Sequence, residues 1–215
     1  DELDATLTMT MGSNTVVASN VALNGIGGAE FSFDIDLDEE RLEALFYCAE
    51  GSFFAMGQVF EMAGEIVGAV AFDEEFDGTI TSSPTGQLGQ WTFTATQGGQ
   101  EMSGTLTLSI GATGATGTLV FEFEADNGEF MASSTAGNPL TFSGTLDGDD
   151  ITDIVVYGRV FTQFPLSSLT QNQLPNVCYG TVTIPSTNPV SGDFFGDGDG
   201  EDQLNEGARI NINVD

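Results

Sequence analysis

The sequence contains no lysine and no histidine, and Arg41, Arg159 and Arg209 are its only side-chain cations. Without histidine, a serine–histidine–aspartate or cysteine–histidine arrangement cannot be assembled. Without lysine there is no Schiff-base chemistry. Nothing in the chain can neutralise a run of phosphates, which excludes nucleic acid as a partner. Cysteine is nearly as scarce. Cys48 and Cys178 stand alone, and with no histidine beside them they are too few for structural zinc. A carboxylate pair is the remaining catalytic route. No spacing singles one out among 33 carboxylates, so the expectation is a protein that is not an enzyme.

Long apolar runs are also missing, and no stretch of sequence could span a bilayer. No export signal is visible, and the chain starts at Asp1 rather than Met. The expectation is a mature, exported protein, extracellular or at a cell surface. In an oxidising compartment Cys48 and Cys178 would pair. Closing so long a loop would stabilise the fold by roughly 4–5 kcal/mol in the chain-entropy account.

What the chain has instead is acid. Its formal net charge is -30 over 215 residues. At most three carboxylates can have a cationic side-chain partner. The others must face water, accept backbone hydrogen bonds or meet added cations. Self-repulsion on this scale opposes compaction at low salt, and screening relieves it. Yet 40% of the residues are hydrophobic, including 17 Phe. Disordered acidic chains lack that content, so the charge lies on the surface of a folded core.

The apolar pattern is mostly of period two, the strand signal. It is clearest at 90–96, 104–110, 118–124 and 209–214. In the third run Leu119, Phe121 and Phe123 share one face, and Val120, Glu122 and Glu124 the other. Further strands are expected at 5–11, 15–23, 30–36, 140–146, 151–161 and 177–184. A Gly-Thr element recurs at Gly78, Gly104, Gly117, Gly144 and Gly180. It reads as the place where a strand leaves a turn. Gln97-Gly98-Gly99-Gln100 reads as a tight hairpin turn.

One segment departs from this pattern. Leu42, Leu45, Phe46 and Ala49 have helical spacing. Asp36 with Glu39 resembles a capping box, and Gly51 offers a stop, predicting a helix over 37–50. The next stretch, 52–72, is ambiguous. Phe53, Met56, Phe60 and Ala63 would share a helical face, but Gly57, Gly64 and Gly68 weaken a helix. Strands at 58–62 and 65–72 fit as well. The expected fold is a single all-β domain over residues 1–215, an antiparallel sandwich of jelly-roll or immunoglobulin-like Greek-key type with this one short helix. A closed meander barrel is the alternative. The Gly89-x-Trp91-x-Phe93 run resembles that of calycin-like barrels, which would imply a small-ligand carrier.

The longest loop is 185–207, rich in Gly and acid. Asp193, Asp197, Asp199, Glu201 and Asp202 sit on a Gly-rich backbone, a set suited to a hard cation that wants six to eight oxygens. Asp202 stands where an EF-hand needs Gly, and Ala208 where it needs Glu, so the loop is not an EF-hand. Asp147, Asp149 and Asp150, with Asp153 beyond, form a second cluster, and Asp73 to Asp77 a third. Calcium is the expected cofactor. Phe194 and Phe195 inside the acidic loop are candidate anchors for a partner. Trp91 alternates with Phe93 and is expected in the core.

Strands predicted at both ends of the chain would fray unless held. Strand addition to a neighbouring copy would hold them. The leading expectation is therefore a structural subunit of an extracellular assembly (a filament, sheath or surface layer) in which calcium bridges acidic faces. The alternative is a calcium-dependent module that binds carbohydrate or a cell surface, as an adhesin does.

Overall fold

The computed structural model describes residues 2–11, 14–24, 28–32, 39–125, 128–147, 150–166, 175–186, 190–191 and 209–213. The chain opens with three strands, β1 (Glu2–Met11), β2 (Asn14–Asn24) and β3 (Gly28–Ser32). One helix follows, α1 (Glu39–Ala71). Then come β4 (Thr79–Pro84), β5 (Gln90–Gln97), β6 (Gln100–Ile110), β7 (Gly114–Ala125) and β8 (Phe130–Ser133). The last five are β9 (Leu140–Asp147), β10 (Asp150–Pro165), β11 (Val177–Ile184), β12 (Val190–Ser191) and β13 (Arg209–Asn213).

The strands form one hydrogen-bonded path, β13-β3-β2-β1-β11-β10-β8-β7-β6-β5-β4, with β9 bridging β7 and β10 and β12 pairing β10. Every pairing is antiparallel except β13 with β3. The expected all-β antiparallel class is what forms, and it is compatible with a sandwich-like arrangement. A closed meander barrel is not formed among the described residues. Among the described residues the path ends at β4 and β13, which do not pair with each other.

Alternation along the strands makes two faces. The inner face carries Leu7, Met9, Phe93, Met102, Leu106, Leu119, Phe121, Phe123, Phe142, Val160, Phe164 and Val182, all buried. Helix α1 lies on it, against β1, β6, β8, β10 and β11. Its buried positions Leu45, Cys48, Ser52, Ala55, Val59, Met62 and Ile66 step by three and four along the whole helix. The helix is therefore much longer than the expected 37–50, and the alternative strands at 58–62 and 65–72 do not form. The glycines do not break it, because burial of a continuous apolar stripe outweighs about 1 kcal/mol of propensity at each. Two of them also have a use. The Phe164 ring lies over Gly51, where a Cβ would come within 2.8 Å of it, and the Glu74 side chain folds over Gly68. The helix stops where Asp73 turns left-handed at φ 60° and Glu74 N–H donates to the Gly68 carbonyl at 3.3 Å.

The recurring Gly-Thr elements are a correction. Only Gly78 precedes a strand; Gly104, Gly117, Gly144 and Gly180 lie inside β6, β7, β9 and β11. Each has inner-face parity, between buried or half-buried apolar neighbours two residues away. Gly117 pairs with Phe142, whose ring occupies the space a Cβ would take. The glycine thus makes room on the crowded inner face, and its Thr neighbour faces outward. The turn at Gln97–Gln100 forms as expected. Gly98 and Gly99 take φ 55° and 93°, the positive pair a tight hairpin turn of this kind demands.

Trp91 is half-buried at the margin of the core. Tyr47 packs edge-on to Phe164, with ring centroids 6.4 Å apart. Burial raises its phenol above the ordinary 10.0, and the charge of Glu129 adds to the rise. A folded value above the unfolded one means the contribution is complete below the unfolded value and is lost as pH climbs through the folded one. Thermal stability followed by circular dichroism should therefore fall as pH rises past 10, and Tyr47→Phe should make that fall shallower.

Candidate functional site

Helix and sheet are tied at one seam. Cys48 of α1 and Cys178 of β11 form the expected disulfide, with Cα atoms 6.3 Å apart and both residues fully buried. One turn on, Ser52 Oγ donates to the Cys48 carbonyl at 2.7 Å. That uses its only proton, so the Thr162 hydroxyl donates to Ser52 Oγ at 2.8 Å. Gly180, paired with Thr162, leaves the space in which the two hydroxyls meet. The seam is a buried fastening without an ionisable group.

The outer face is different. Strand register lines up two rows of outward side chains, one across five strands and one across six. One runs Thr94, Ser103, Glu122, Ser133, Phe161. The other runs Thr96, Glu101, Glu124, Met131, Gln163, Tyr179. A groove of about 500 Å³ lies between them, lined also by Phe123, Ala132 and Thr162. Those three belong to the inner face, so what they offer the groove floor is backbone. Glu101 and Glu124 stand directly opposite each other, an arrangement that like charges disfavour. No arginine lines the groove. Arg159 is on the same face beyond Phe161, opposite Thr183. At the other end Tyr179 is 52% exposed.

The third feature is a sheet edge. β4 reads Thr-Ile-Thr-Ser-Ser-Pro and carries no charge. Among the described residues it pairs only with β5. All its side chains are exposed except the half-buried Ile80.

The sequence-predicted residues fare unevenly. Asp193, Asp197, Asp199, Glu201, Asp202, Phe194 and Phe195 lie outside the described residues, as does Asp149. Asp147 and Asp150 are paired across the β9–β10 hairpin. The loop expected over 185–207 contains a short strand, β12, paired to β10. Asp73, Glu74, Glu75 and Asp77 are exposed. Among the described residues no three acidic or cysteine side chains are grouped to hold a metal ion. Phe53 and Phe54 lie on the helix. No helix among the described residues is long and apolar enough to cross a membrane. Sequence reading missed the groove. Glu122 and Glu124 were legible as outward-facing, but their neighbours depend on register.

Compared with known protein families, curated proteins and solved structures, the chain matches none.

Proposed function

We propose that this chain is a structural subunit of an extracellular assembly, built by adding strands between copies at the β4 edge. The observation that carries the reading is the bare edge itself. Proteins that stay apart blunt their edge strands with charge, proline, bulges or a covering element, and of the first two β4 has only Pro84, at its last residue. This chain has 33 carboxylates to spend on such protection and places none on β4. In a molecule of net charge -30, an edge strand without carboxylates lowers the repulsion a second copy meets there. A strand supplied by a neighbour would gain backbone hydrogen bonds there. A neighbour that offered its other edge strand, β13, would make the contact head-to-tail and able to propagate as a filament, whereas β4 against β4 would close into a dimer.

The terminal strands find their partners within their own chain and need no neighbouring copy to hold them. β1 is held between β2 and β11 of its own chain, and β13 pairs with β3. Calcium keeps a part in the proposal as the ion that would screen and bridge the acidic faces, through the loop at 193–202. The buried disulfide fits an oxidising, extracellular setting. Sedimentation with and without millimolar calcium tests the reading. Large species are expected, and more of them with calcium. A chain that stays monomeric in both conditions overturns it.

A further inference from the structure

The outer-face groove points to a ligand, and it does so without help from the edge strand. Its volume, about 500 Å³, falls in the range of small-molecule sites. Its shape is linear. It crosses six neighbouring strands, roughly 24 Å at about 4.8 Å per strand, and it is about one two-residue repeat wide. Its chemistry is divided. At one end Glu101, Glu122 and Glu124 gather carboxylates, two of them directly opposite each other. At the other, Phe161 and Tyr179 present aromatic rings, and Tyr179 is half exposed.

Carboxylates and ring faces share one preference, an organic cation. A divalent metal would answer only the carboxylates, and these are not grouped to hold one. A neutral sugar could stack on the rings and donate hydroxyls to the carboxylates, but it would leave the charge of the opposed glutamates uncompensated. We propose that the groove binds a linear aliphatic polyamine laid across the strands. One ammonium group rests among Glu101, Glu122 and Glu124. The methylene chain follows the backbone floor, and a second ammonium meets the rings of Phe161 and Tyr179. Binding would relieve the like-charge contact between Glu101 and Glu124.

Titration calorimetry of the full chain at low ionic strength tests this with spermidine, magnesium and maltohexaose as probes. A chain this acidic attracts any polycation loosely, so the controls carry the test. Single-site spermidine binding is expected. The double variant Glu101→Gln with Glu124→Gln should weaken it about tenfold or more, and Tyr179→Leu about fivefold. Tyr179→Phe, which keeps the ring, should retain it. The charge-matched pair Glu75→Gln with Asp77→Asn, outside the groove, should change it less than about twofold. Equal losses from the groove pair and the control pair would reduce the effect to counterion attraction and overturn the proposal. So would spermidine binding indifferent to Tyr179→Leu. Maltohexaose binding that needs Tyr179 and ignores the glutamates would overturn it in favour of a glycan site. Because every variant leaves β4 intact, failure here is separable from failure of the assembly reading.

Discussion

Replacing Cys48 and Cys178 together with alanine should lower the free energy of unfolding by about 4–5 kcal/mol, read from urea denaturation. The size follows from the separation of 130 residues, which makes the closed loop most of the chain. Without the bridge the unfolded chain gains freedom, while the folded chain keeps the rest of the seam. Both residues are fully buried, so the alanines also leave a small void and add to the loss. A loss below about 1 kcal/mol would contradict the entropic account. It would mean that the two ends of the loop stay together in the unfolded ensemble.

The second large effect should come from a residue with no side chain. Gly180→Val puts a Cβ against Ser52 Oγ and Thr162 Oγ1. Strand geometry alone favours valine over glycine, so propensity predicts a gain. Packing predicts the reverse. The new side chain must part the two hydroxyls, leaving buried polar atoms unpaired, or push the helix off β11. Either route should cost about 3 kcal/mol or more. The control is Thr181→Val, the outward neighbour, expected within about 0.5 kcal/mol of wild type. If Gly180→Val is as stable as that control, the close approach of helix to sheet is wrong.

The same glycine shows what sequence could and could not convey. Alternation marked most strands closely: Val177–Ile184 forms at the predicted bounds, and Gln90–Gln97 within one residue. The Gly-Thr rhythm was visible too, but its meaning was not. A glycine that relieves a turn and a glycine that admits a neighbour look alike until the neighbour is known. At Gly117 the neighbour is Phe142, 25 residues on; at Gly180 it is Ser52, far back in the helix. The helix was half legible for a related reason. Its glycines argue against helix locally, and only burial against a wide sheet pays for them. The short β8 (Phe130–Ser133) went unseen in sequence, and it joins the rows that shape the groove. Outward residues can be read from a period of two. Which of them become neighbours is set by register, which the turns and β8 decide.

The central claim is that the uncharged edge of β4 joins one copy to the next. Its most direct test is sedimentation velocity of the wild type beside Thr81→Lys with Ser83→Lys, in millimolar calcium. Both positions are exposed on the edge strand, so the variant should keep its fold while charging the edge. The account predicts large species for the wild type and monomers for the variant. A variant that assembles as fully as the wild type would contradict it.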